Sequence, residues 1–160
     1  MRGLIWQKAL DSSSMMARFP AIFQRSLDEV SLDDANRIDR DLKRTFPTDP
    51  YFTNPRCRGY QQLRRVLLAY AGMNKVGYCQ GMNFVAGTLL LFMQEEEAFW
   101  AFVQLMESPQ FMLKGLYDKD SSDLPRYLHL VDAYLARHCP ALARHFVRSL
   151  PGAPSTRAVP

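Results

Sequence analysis

The chain has 160 residues, 48% of them hydrophobic and 12% aromatic, enough to bury one core and too few for two ordinary domains. Its net charge of +4 arises from 20 Lys+Arg against 16 Asp+Glu, and basic residues are interleaved with acids, as in Asp39-Arg40-Asp41, so no nucleic-acid-binding tract stands out. The longest apolar run, 84–93, is broken by Gly87 and Thr88 and falls well short of the roughly 20 residues that cross a bilayer. A soluble globular unit is expected, with at most peripheral attraction to an anionic membrane.

Cys57, Cys79 and Cys139 lie far apart, with no C-x-x-C pair. This argues against structural zinc and a disulfide framework, and the odd cysteine count favours a reducing, cytoplasmic setting. Residues 1–19 carry Arg2, Lys8, Arg18 and a serine run with one acid, Asp11. That composition faintly suggests a mitochondrial presequence, but Leu4, Ile5, Trp6, Ala9 and Leu10 read as an ordinary short helix whose apolar face packs on a core, and that reading is preferred. A loop is expected next, carrying Pro20 and the staggered apolar residues Phe19, Ile22, Phe23, Leu27 and Val30.

Ser31 and Asp34 stand in the S-x-x-D arrangement of a capping box, and Asp33 and Asp34 fill a first turn where the helix dipole favours negative charge. The helix is predicted over 32–45, ending before Phe46-Pro47. On it Ile38 and Leu42 share one face, and Asp41 and Arg44 are i, i+3 neighbours whose side chains can meet. After a Pro-rich link, Leu63, Val66, Leu67, Tyr70 and Ala71 repeat at helical spacing, with Arg64 and Arg65 off that face and Gly72 as the expected stop. A short turn then delivers Tyr78-Cys79-Gln80 ahead of an apolar helix over 82–93, which puts Gln80 near a helix N-terminus.

A further helix is predicted over 95–107, with Glu95, Glu96 and Glu97 as a solvated, dipole-matched first turn and Phe99, Trp100, Phe102, Val103 and Met106 as its apolar surface. A polar loop over 115–123 precedes a helix carrying Leu124, Leu128, Val131 and Leu135, and a last helix over 141–150. The tail beyond 146 is expected to be disordered, its last ten residues having three prolines and almost no apolar bulk. No stretch alternates with the period of a strand, so the predicted class is all-α.

Chemistry is sparse. His129, His138 and His145 accompany no nucleophile motif, and neither of the standard glycine-rich nucleotide cradles is present. On residue types alone, Asp41 and Arg44 form an ordinary surface ion pair, and Tyr78-Cys79-Gln80 is the start of a helix.

Together these two elements resemble something more specific. Ile38-x-x-Asp41-x-x-Arg44 and Tyr78-Cys79-Gln80 are similar to the I-x-x-D-x-x-R and Y-x-Q motifs of the TBC-domain family of Rab GTPase-activating proteins. Arg44-Thr45-Phe46-Pro47, the helix with Leu63 to Tyr70, Gly77-Tyr78-Cys79-Gln80-Gly81-Met82-Asn83, the Glu97-Ala98-Phe99-Trp100 stretch and the Arg2-x-x-x-Trp6 opening resemble the family as well. The resemblance covers 2–146 and implies a multi-helix TBC-like domain comprising the N-terminal lobe and part of the C-terminal lobe.

It further implies catalytic roles in trans for Arg44, as an arginine finger, and Gln80, which orients the attacking water. Asp41, Tyr78 and Ile38 would support them, with a Rab-family GTPase as partner, its GTP and magnesium belonging to that partner. No cofactor of its own is implied, and the expected setting is cytoplasmic vesicle trafficking. The later Trp-bearing segments of the family do not appear, so the sequence resembles a shortened TBC domain in which Leu128, Val131 and Leu135 lack cover. Three outcomes follow: a GTPase activator, a Rab-binding module without productive docking, or a short product without function.

Overall fold

In the computed structural model, which describes residues 2–74, 76–118 and 123–149, the chain divides into two units, Met1–Tyr117 and Asp118–Pro160. The described residues are helical and contain no strand. None of the described helices is long and apolar enough to cross a membrane.

The first unit is built around one helix. Arg58–Met73 (called α5, after four helices described below) buries Tyr60, Leu63, Val66, Leu67, Leu68, Ala69, Tyr70 and Ala71, more than a single stripe can account for. Such a helix must be covered on several sides. It packs against Ile22–Leu27 (α3), Leu32–Leu42 (α4), Met82–Leu90 (α6) and Glu95–Glu107 (α7). Its charged residues leave the core by pairing with neighbours. Arg64 Nε lies 2.6 Å from Asp39 on α4, and Arg65 Nε lies 2.8 Å from Glu95 on α7. Glu95 is therefore a tie between helices, and Glu97 closes a capping box with Gln94, so the acid run does more than solvate a helix end.

Gly72 does not stop α5. A Cβ there would lie 2.0 Å from the Ser26 carbonyl oxygen, so the missing side chain lets α3 cross α5 closely. The stop is Asn74, whose side chain donates to the Tyr70 carbonyl and accepts from the amides of Val76 at 2.9 Å and Gly77 at 3.0 Å.

The N-terminal region departs from expectation twice. Arg2–Leu10 (α1) is helical, yet Leu4, Ile5 and Trp6 are exposed; of the predicted apolar face only Leu10 is buried in the core. A second short helix, Ser12–Arg18 (α2), follows α1, and where a loop is expected α3 is helical, with Phe23 buried against Phe99 at a ring-centroid distance of 5.0 Å. The predicted bounds also shift. Helix α4 ends at Leu42, α6 ends at Leu90, and the polar loop opens with a 3₁₀ turn, Leu113–Leu116.

The second unit pairs Leu124–His138 (α8) with Pro140–Ser149 (α9). None of its described residues is buried: Leu128 and Val131 are exposed and Leu135 is half-buried. Helix α9 includes Val147, Arg148 and Ser149, so the first three residues of the expected disordered tail are helical; the rest, 150–160, lies outside the described residues.

Candidate functional site

The C-terminal end of α4 and the loop before α6 meet at one carboxylate. Because α4 stops at Leu42, Arg44 and Thr45 sit on a tight turn, their amides donating to the carbonyls of Asp41 and Leu42 at 3.1 Å each. Phe46 follows with φ of 46°, a conformation that strains a bulky side chain. Its ring is held against Phe52 and Phe84 and lies over Gly87, and this packing offsets the strain. The chain turns away there and leaves Arg44 projecting.

Asp41 is 7% exposed and uses its two oxygens on different partners. Oδ1 accepts from Arg44 Nε at 3.1 Å and Nη2 at 2.6 Å. Oδ2 accepts the hydroxyl of Tyr78 at 2.7 Å. Two of the five N–H donors of the guanidinium are thus engaged, and a side chain 57% exposed keeps the others for a ligand. Burial first, and then the hydrogen bond to Asp41, push the Tyr78 phenol well above the usual range, with Arg44 and Arg37 pulling weakly the other way. Tyr78 is therefore a fixed donor and holds the Asp41 carboxylate oriented toward Arg44.

Asn83, in the first turn of α6 and 1% exposed, completes a ring. Its Oδ1 accepts the Gly81 amide at 3.0 Å and lies 3.2 Å from the Tyr78 hydroxyl. Its Nδ2 donates to Thr45 Oγ1 at 2.7 Å, and Thr45 Oγ1 donates to the Asp41 carbonyl at 2.8 Å. Sequence reasoning assigns no role to Asn83 or Thr45, whose burial and mutual hydrogen bond the folded chain alone shows.

Gln80 is exposed at the tip of this loop, immediately before Gly81, the N-cap of α6, as the spacing predicts. Behind it, the Cys79 thiol donates to the Tyr117 carbonyl at 3.1 Å, and burial raises the thiol pKa. Arg44 and Gln80 line one cleft of about 390 Å³ together with Arg37, Arg40, Asp41 and Tyr78. Ile38 does not line it: at 0% exposed it is a packing residue under α4. The structure therefore brings four of the five predicted residues to one cleft, and the cleft is lined by three arginines.

A helical domain with a basic cleft built this way has known relatives. A model of the RabGAP-TBC family, the Rab-GTPase-TBC domain, matches residues 1–152, and the chain belongs to that family. It is 37% identical over 113 residues to TBC1 domain family member 2B of Xenopus tropicalis, covering 70% of this chain and 12% of that protein. It is 33% identical over 147 residues to the human Ecotropic viral integration site 5 protein homolog, covering 91% of this chain and 17% of that protein. It is 41% identical over 97 residues to the GTPase-activating protein GYP3 of Saccharomyces cerevisiae, covering 57% of this chain and 15% of that protein. The chain thus spans less than a fifth of each of these relatives. Among solved structures, the Chlamydomonas flagellar RabGAP TBC domain superposes with a TM-score of 0.71 at 26% identity, over 91% of this chain and 48% of that one. The all-α class and the TBC architecture follow.

Proposed function

We propose that this domain activates a Rab-family GTPase by inserting Arg44 and Gln80 beside the partner's GTP. The observation that carries this reading is that the two side chains, from separate elements, line one cleft with Arg44 already oriented by Asp41. Hydrolysis on a small GTPase is slow because charge on the transferring phosphoryl group is poorly stabilised. An arginine supplied in trans accelerates it by about 10³ to 10⁵, equivalent to roughly 4–7 kcal/mol of barrier. Arg44 suits that role because its charge is permanent and its fork presents several donors at once. Gln80, an exposed amide at a loop tip, orients the attacking water. GTP and magnesium are the partner's, and the domain needs no cofactor of its own. Arg37 and Arg40 add positive potential that favours approach to an anionic nucleotide. The setting proposed is the cytoplasm, with peripheral membrane contact at most, in vesicle trafficking.

Single-turnover GTP hydrolysis across a panel of Rab proteins tests the reading. Wild type should accelerate at least one of them, and Arg44→Ala and Gln80→Ala should each abolish most of that acceleration. Acceleration indifferent to both substitutions would refute the two-finger mechanism, and binding without acceleration would make the domain a Rab-binding module.

A further inference from the structure

The geometry points to Asp34 as a positioning residue for the Gln80 loop, an inference that rests on the role proposed above for Gln80. Asp34 occupies the third position of α4, where a capping-box carboxylate normally turns back to the N-cap amide. Only half of that arrangement forms. Ser31 Oγ accepts the Asp34 amide at 3.1 Å and donates to Asp34 Oδ2 at 2.9 Å. Asp34 Oδ1 is directed to the loop before α6, where it accepts the Tyr78 amide at 2.9 Å.

Tyr78 is therefore gripped at both ends by one helix. Its amide is held by Asp34 and its hydroxyl by Asp41, positions i and i+7, which lie on one face about 10 Å apart along the axis. Between them the Arg37 guanidinium sits 6.0 Å from the centre of the Tyr78 ring, with Nη1 3.5 Å from Asp34 Oδ1. Gly77 shows how closely the loop is seated: its φ is +72°, and a Cβ there would lie 2.6 Å from Asp34 Oδ2. With Tyr78 fixed lengthwise on α4, Gln80, two residues on, has little freedom left at its base. Asp34 does not line the cleft; it acts through the backbone that carries Gln80.

Three variants test this: Asp34→Ala, which removes the acceptor; Asp34→Asn, whose amide oxygen can still accept from Tyr78; and Ser31→Ala, which removes the helix cap without touching the loop. Amide hydrogen exchange should show Tyr78 exchanging about tenfold faster or more in Asp34→Ala, with Asp34→Asn near wild type, Ser31→Ala unchanged at Tyr78, and Val66 in α5 protected throughout. Unchanged Tyr78 exchange in Asp34→Ala, or equal acceleration in Ser31→Ala, would overturn the assignment.

The second readout is single-turnover hydrolysis on a Rab protein that wild type accelerates. Asp34→Ala should lower the maximal rate about tenfold at an unchanged half-saturating concentration, and should add nothing in a Gln80→Ala background. Full additivity with Gln80→Ala would overturn it. Failure of the two-finger reading shows separately, as indifference to Gln80→Ala and Arg44→Ala themselves, and the exchange experiment then decides the role of Asp34 alone.

Discussion

Tyr78 donates its hydroxyl to Asp41 at 2.7 Å across 37 residues of sequence, and the other oxygen of the same carboxylate holds Arg44. The loop that carries Gln80 and the turn that carries Arg44 thus share one buried anchor.

Removing the phenolic oxygen tests the anchor. Tyr78→Phe leaves a buried carboxylate oxygen without its donor, at a cost of about 1–2 kcal/mol. Urea unfolding followed by circular dichroism should show a lowered midpoint at unchanged slope. An unchanged midpoint would mean the bond contributes nothing.

Asn83 holds together the other side of the ring. Asn83→Ala strands the Gly81 amide and removes the donor to Thr45, so a loss of about 2 kcal/mol is expected. It should exceed that of Thr88→Ala, an exposed control on the same helix whose hydroxyl only returns to the Phe84 carbonyl. The same urea titration measures both.

Arg44 should separate stability from function. Its ion pair with Asp41 is more than half exposed on the arginine side, so Arg44→Lys should cost under about 1 kcal/mol of folding free energy. GTPase activation should nevertheless fall steeply, because an ammonium cannot reproduce the forked contact. Retained activation in the lysine variant would show that charge alone suffices.

Alkaline pH should weaken the fold, most of all through two of the four tyrosines whose phenols burial pushes up. Tyr70 and Tyr78 both have phenol pKa values raised above the ordinary 10.0, chiefly by burial. The native state therefore keeps these protons at a pH where the unfolded chain sheds them. Their contribution is whole below pH 10 and declines as pH rises above it, by up to about 1.4 kcal/mol per pH unit for each tyrosine. Comparing unfolding free energies between pH 9 and 11 for wild type and Tyr78→Phe should show a shallower fall in the variant.

The α3–α5 crossing is equally testable. Gly72→Ala places a methyl against the Ser26 carbonyl, which is backbone and cannot swing aside. A destabilisation of about 2–3 kcal/mol is expected in spite of alanine's better helix propensity. A stabilised variant would show that α3 moves away freely.

What was legible in the sequence was what periodicity and local chemistry encode. Helices α5 and α7 follow from apolar spacing, the α4 start from Ser31, and the meeting of Asp41 with Arg44 from an i, i+3 relation. Helices α2 and α3 were not legible, because helices of seven and six residues form through tertiary packing, here of Phe23 on Phe99, and leave too few turns to show a period. Gly72 reads as a stop because a glycine's close contact with another helix leaves no local trace. Asp34 reads only as a cap, since its second partner lies 44 positions away. The motif residues mark the cleft; the residues that shape it, Asn83, Thr45 and Asp34, depend on contacts that only the folded chain reveals.

The link between Asp41 and Tyr78 also sets an order of events. The segment between them contains α5, the helix on which α3, α4, α6 and α7 pack, so the hydroxyl reaches its carboxylate only with α5 docked beside α4. Contacts of such long sequence separation carry the entropy cost of closing the chain between them. Without that docking Arg44 and Gln80, on separate elements, share no cleft. Assembly of the cleft is in this sense a checkpoint: the domain gains its paired side chains in the same step that completes its core.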